Sequence, residues 1–243
     1  MTKAEIISRV FFPAKCPQCG KTLKINENFC LCCGSDEVKL SADCCEHCGK
    51  ERELCSCGDK FSSELPHITG VFTYDGMIKN MLLSFKFSGR KNLYRYFGDC
   101  LAEKVAISYA NTDFDYVTFV PSSNESIKER GYNPAQLIAE RTAKKLFLPC
   151  EELLIKTKET QKQHHLKAQE RMSNIKGSVR IAKSSDIQGK TILLCDDIKT
   201  TGATLRECSD ILFKNGAKDV YCVTVAVTSN LNPFDLDKDI KNK

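Results

Sequence analysis

The 243-residue sequence predicts an α/β protein, a parallel sheet flanked by helices and preceded by a small metal-stapled domain. Three observations carry this expectation. Short continuous apolar strands alternate with helical segments from Pro66 onward. Ten of the 15 cysteines fall between Cys16 and Cys57. The composition, 42% hydrophobic and 28% charged, is that of a globular chain, neither disordered nor coiled-coil nor collagenous.

The cysteines divide the chain into residues 1–65, a Cys-rich domain, residues 66–229, the α/β domain, and 230–243, a polar tail. No apolar run approaches the roughly 20 residues that a membrane-spanning helix needs. Met1 to Phe12 holds Glu5 and only a brief apolar stretch, so it does not read as a signal peptide. A cytoplasmic location is therefore expected, where clustered cysteines bind metal more often than they form disulfides.

Within residues 1–65 there is almost no apolar periodicity, so this segment needs a staple to fold. The pairs are Cys16-x2-Cys19-Gly, Cys30-x2-Cys33-Gly, Cys45-x2-Cys48-Gly and the irregular Cys55-x-Cys57-Gly. Each regular pair is a knuckle, a tight turn that aims two thiolates at one ion, with Gly permitting the positive φ that follows. Eight thiolates suffice for two tetrahedral sites. Zinc is the default ion, and iron takes nearly the same ligands. Sequential pairing gives Cys16, Cys19, Cys30, Cys33 and then Cys45, Cys48, Cys55, Cys57. Interleaved pairing, or one site with loose thiols, satisfies the spacing as well, and Cys32, Cys44 and His47 are spare candidates. Residues 1–65 carry a net charge of −1. Two four-thiolate zinc centres would take this to about −5, the wrong sign for a phosphate-binding surface. A structural role is expected.

Farther along, strands are expected at Gly70–Tyr74, Tyr116–Val120, Gly177–Ala182, Thr191–Cys195 and Asp219–Thr228. Helices are expected at Met77–Phe87, Leu93–Tyr109, Asn133–Phe147 and Ala203–Asn215. Asn133 is the N-cap of its helix with Pro134 in the first turn, and Gly216 closes the last helix. Ligands of an open α/β sheet bind beyond the carboxyl ends of its strands. That rule selects the segments after Pro121 and after Asp196, and a long polar loop before Gly177 is a third candidate.

The second of these segments carries the chemistry. The strand Ile192-Leu193-Leu194-Cys195 ends in Asp196-Asp197-Ile198-Lys199, and Thr200-Thr201-Gly202-Ala203-Thr204 leads into a helix. Small residues let the backbone approach a ligand, and free amides plus three Thr hydroxyls make a phosphate cradle. Two carboxylates beside a phosphate make sense if they accept hydrogen bonds from sugar hydroxyls or help to hold Mg²⁺. Phosphate, diol and metal together describe a ribose 5-phosphate. Neither a Walker loop nor a dinucleotide fingerprint is present.

This segment resembles the 5-phosphoribosyl 1-pyrophosphate (PRPP) motif of type I phosphoribosyltransferases, with Cys195 where an aliphatic residue is usual. Together with the knuckles, the resemblance narrows to the ComF family of competence-associated phosphoribosyltransferase-like proteins. Three further blocks resemble that family. They are Phe85-Lys86-Phe87-Ser88-Gly89-Arg90, then Val120-Pro121 with Arg130-Gly131-Tyr132-Asn133, then Gln163, Leu166, Arg171 and Asn174. The resemblance spans roughly residues 16–228.

It implies that Asp196 and Asp197 take the ribose hydroxyls with Mg²⁺ nearby, and that Thr200, Thr201, Gly202, Ala203 and Thr204 hold the 5-phosphate. Arg130 suits the pyrophosphate, and Lys86 reaches the pyrophosphate or caps a helix. Residues 156–190, with a net charge of +6, match a mobile hood over PRPP, and a solvated or nucleic-acid-binding face competes with that reading. The reaction implied is displacement of pyrophosphate at C1 of PRPP by a nitrogen nucleophile. An accessory factor that binds single-stranded DNA or competence-machinery proteins, and a regulatory PRPP sensor, are the alternatives.

Overall fold

The computed structural model describes residues 13, 15–16, 19–24, 30, 33, 45, 49, 52, 55, 66–157, 177–182 and 186–228. Cys32, Cys44, His47, Cys48, Cys57, the block from Gln163 to Asn174 and the tail 230–243 lie outside the described residues. Among the described residues no helix is long and apolar enough to cross a membrane.

The sheet has four strands, all parallel: β1 (His67–Thr73), β2 (Tyr116–Phe119), β5 (Thr191–Lys199) and β6 (Asp219–Val227), in the order β1-β6-β5-β2. Between them run α1 (Gly76–Phe87), α2 (Leu93–Ser108), α3 (Asn124–Arg130), α4 (Pro134–Leu146) and α5 (Ala203–Lys214). A separate antiparallel ribbon pairs β3 (Leu154–Lys156) with β4 (Val179–Ile181).

The strands read as unbroken apolar runs because helices or loops cover both faces. Alternation along β5 makes this concrete. Leu193 and Cys195 enter the core formed with α1, α2 and α4, while Ile192 and Leu194 enter the core formed with α5 and the ribbon. The first core also takes in Cys16, Leu23 and Cys30.

Short segments seal both edges of the sheet. On β1, Gly49 forms a parallel bridge to Thr69. On β2, Val117 donates to Pro149 O and accepts from Glu151 N, each at 2.9 Å.

Two elements differ from expectation in kind. The α3 helix fills a stretch for which no element was expected; its signal is Ser123, whose Oγ accepts from Ser126 N at 3.2 Å as an N-cap. The strand expected to stop at Cys195 continues to Lys199, because β6 runs alongside it and pairs Asp196 with Thr224, Ile198 with Ala226 and Lys199 with Val227. β3 was not expected either; three residues are too few to show a period. Asn133 caps α4 as expected, accepting from Ala135 N at 3.1 Å.

Helices α2 and α4 meet at Gly98. A Cβ there would lie 2.6 Å from Arg141 Cβ and 3.0 Å from Ile138 O, so only Gly allows the approach. Beside it Arg141 grips Asp99 with two hydrogen bonds of 2.6 and 2.9 Å. We expect Gly98→Val to destabilise the protein by roughly 2–3 kcal/mol, as overpacking does, read from the midpoint of urea unfolding. An unchanged midpoint would show that the two helices can separate without cost.

Candidate functional site

The site stands at the carboxyl edge of the sheet, where β5 delivers two acids side by side. Successive residues of a strand face opposite ways. Asp197 turns toward α1, where Lys86 Nζ lies 2.8 Å from its Oδ1. Asp196 accepts from the Asp197 backbone N–H at 2.8 Å. Burial, and then the neighbouring Asp197, push Asp196 up to about 8; Lys86 and Lys156 work against the shift.

Past Lys199 the chain turns through Thr200 and Thr201 to Gly202, the N-cap of α5, at φ +79. Gly202 is favoured because its φ is left-handed, and a Cβ there would lie 3.2 Å from Lys199 Cε, which would have to shift slightly. Thr201 Oγ1 accepts from Ala203 N at 3.3 Å, and the next amides of α5 have no partner within the helix. Thr200, Thr201, Ala203 and Thr204 are all partly exposed. The loop can therefore present amides and hydroxyls to an anion.

Two blocks far apart in sequence meet beside the acids. The Arg130 guanidinium lies 5.0 Å over the Phe87 ring, and its Nε is buried with no hydrogen-bond partner. Tyr132 OH donates to Phe85 O, and the Tyr132 and Phe85 rings sit 5.6 Å apart. Lys91 lies 5.6 Å over the same Tyr132 ring. Asn133 ties the block to the end of β2, donating to Val120 O at 3.0 Å and accepting from Ser122 Oγ at 3.0 Å. Asp196, Asp197, Lys86 and Arg130 thus gather on one edge of the fold with the Thr-Thr-Gly-Ala-Thr turn.

Of the basic stretch 156–190, only the base is described. Thr157 N donates to Ser178 O at 2.8 Å, and Ser178 N donates to Glu207 Oε1 on α5 at 2.9 Å. Glu207 had no motif to mark it in the sequence, and Phe87 and Tyr132 stood in family-like blocks with no role assigned. Only the fold shows that they support this edge.

A second cluster lies in the Cys-rich segment. The sulfurs of Cys16, Cys19, Cys30 and Cys33 are all within 4.8 Å of one another and could hold a metal ion. Cys19 Sγ and Cys30 Sγ are 3.5 Å apart, near the ~3.8 Å edge of a tetrahedron with bonds of about 2.3 Å. Gly20 and Gly49 follow their knuckles with φ of +78 and +67, as expected. Desolvation, and then hydrogen bonding with Cys30, Cys19 and Cys16, push the Cys33 thiol up to about 12. Thiols so crowded ionise readily only around a cation. The first sequential set therefore comes together. Of the second set, Cys45 is buried and Cys55 half-buried, and Cys48 and Cys57 lie outside the described residues.

Comparison with known proteins identifies the family. Residues 127–241 match the phosphoribosyl transferase domain model. Competence protein ComFC of Bacillus subtilis is 30% identical over 203 residues, covering 80% of this chain and 81% of that protein. The chain belongs to the ComF family. The DNA utilization protein YhgH of Salmonella typhimurium is a more distant relative, 26% identical over 87% of this chain and 96% of its own. Among solved structures, adenine phosphoribosyltransferase from Saccharomyces cerevisiae aligns with 64% of this chain and 79% of its own at 13% identity, with a TM-score of 0.40. The matched region is a phosphoribosyl transferase domain, and the chain around it is a parallel sheet flanked by helices.

The acid pair sets a pH dependence. The unfolded chain releases the Asp196 proton near 3.8, and the folded chain holds it to about 8. Between those values the folded state carries the extra proton, so stability is highest at the acid end. It falls as pH rises, by up to about 1.4 kcal/mol per pH unit. We expect the melting temperature of the ligand-free protein to fall from pH 5 to pH 8 and that of Asp196→Asn to fall less. Parallel curves would show that Asp196 titrates normally.

Proposed function

We propose that this ComF chain binds PRPP with Mg²⁺ and transfers its phosphoribosyl group to a nitrogen acceptor, in a role linked to competence, with structural zinc on the Cys-rich segment. The observation that carries the reading is the convergence of the Asp196–Asp197 pair, the Thr200–Thr204 turn and the two cations Lys86 and Arg130 at one edge of the sheet. Asp196 and Asp197 would take the ribose hydroxyls. Thr200, Thr201, Gly202, Ala203 and Thr204 would take the 5-phosphate. The unpaired Nε of Arg130 suits a pyrophosphate oxygen. Mg²⁺, when bound, neutralises the leaving group. The chain's own share is positioning. It holds C1 in line between the nucleophile and the departing pyrophosphate, and that is where most of such a barrier can be removed. Cys16, Cys19, Cys30 and Cys33 would hold one zinc ion, and Cys45 and Cys55 with Cys48 and Cys57 a second.

Calorimetric titration of PRPP with Mg²⁺ tests this. We expect the wild type to bind and Asp197→Asn not to bind. Pyrophosphate release then separates a transferase from a PRPP sensor. Equal binding by both proteins would remove PRPP from the Asp197 site.

A second reading, binding of single-stranded DNA, is favoured by one observation. From Gly76 to Gly98 the chain has five Lys and Arg and no acid. Phe87 there is 57% exposed, and Lys91 and Arg95 are exposed beside the Tyr132 and Tyr94 rings. Cations interleaved with accessible rings suit a flexible strand, whose phosphates pair and whose bases stack. We expect labelled oligo-dT to bind with a clear salt slope in fluorescence anisotropy. Replacing Lys91 and Arg95 by Glu should weaken binding and lower the slope by about 1.5. An unchanged slope would place any DNA elsewhere.

A further inference from the structure

Lys86 has two candidate anions, and the structure shows it on one of them. Its ammonium lies 2.8 Å from Asp197 Oδ1, with the two side chains only 18% and 11% exposed. So close and so sheltered a contact is poorly screened by water or salt. The root of Lys86 is fixed. Phe85 is fully buried and packs on Phe97 and Tyr132, and its carbonyl accepts from Tyr132 OH. The tip is not fixed, because the four-carbon stem can swing the ammonium without moving α1. Arg130 lies over the ring of the very next residue, Phe87. The two cations therefore stand at neighbouring residues of the end of α1, where one polyanion could draw on both.

We propose that Lys86 is the resident cation of the acid pair. In the empty protein it occupies the charge position that a divalent ion would need at Asp197, and so it keeps bare metal out. Only a metal that arrives with PRPP enters, because its pyrophosphate gives the ammonium a second anion to move to. The proposal rests on the PRPP reading above and adds an order of events to it. The metal is admitted by its substrate and is not stored beforehand. Without Lys86 the sheltered carboxylate of Asp197, beside a second acid, would be open to a divalent cation. Lys86 is in this respect a positioning residue, whose effect on metal entry opposes its effect on substrate binding.

The test uses the zinc-loaded full chain and Mn²⁺ as the probe, with free Mn²⁺ counted by electron paramagnetic resonance. Without PRPP, we expect Lys86→Gln to bind Mn²⁺ about tenfold more tightly than the wild type. Lys86→Arg keeps a cation and should still refuse it. In calorimetry with PRPP and Mg²⁺, Lys86→Gln should bind about tenfold more weakly than the wild type, and Lys86→Arg should recover most of the loss. A lysine that only caps α1 would not move the two affinities in opposite directions. Mn²⁺ binding by Lys86→Gln no tighter than by the wild type overturns the proposal. Failure of the wild type to bind PRPP with Mg²⁺ overturns the PRPP reading instead, and the Mn²⁺ comparison still reports on Lys86.

Discussion

The pairing of β5 with β6 is the contact on which the rest of the molecule depends. It joins the two cores, since alternate residues of both strands feed opposite faces. It also continues past the unbroken apolar run, which ends at Cys195, to Lys199. That extension holds two adjacent acids on a rigid strand and fixes where the Thr-Thr-Gly turn begins. Sites built on strands are positioned more tightly than sites on loops. The strain of keeping acids there is visible in Asp196, whose burial beside a like charge favours its proton.

Much of this was legible in the sequence. The strands β2, β5 and β6 are apolar on both faces, which makes an unbroken run, and α5 shows its buried stripe as Leu205, Cys208 and Leu212. The acid-Thr-Gly segment could be read from chemistry alone. The knuckles marked a metal cluster from spacing, and Cys16, Cys19, Cys30 and Cys33 do gather. What stayed hidden was tertiary. Nothing in a linear reading says that the end of α1 faces Asp197 across 111 positions, or that Arg130 covers Phe87. Net charge was also incomplete: the +6 of residues 156–190 stands out in a count, while the acid-free run from Gly76 to Gly98 is offset by acids elsewhere. Charge counts average over a surface that the fold divides.

The Cys-rich segment is not a bystander to the sheet. Cys16, Leu23 and Cys30 belong to the same apolar cluster as Phe85 and Phe97, so the turns that bear the candidate metal ligands share a core with the helix that carries Lys86. The end of α1 carries both Lys86, which pairs with Asp197, and the exposed Phe87, where the acid-free basic run passes toward α2.

The bridge between Gly49 and Thr69 has a consequence of another kind. An open parallel sheet has two bare margins, and a bare margin recruits strands from other molecules. In this chain the β2 margin is closed by the segment around Cys150, and the β1 margin by the turn that Cys45 and Gly49 form, with Gly49 N donating to Cys45 O at 2.8 Å. The knuckle therefore also covers a strand margin that would otherwise be open to pairing with another chain.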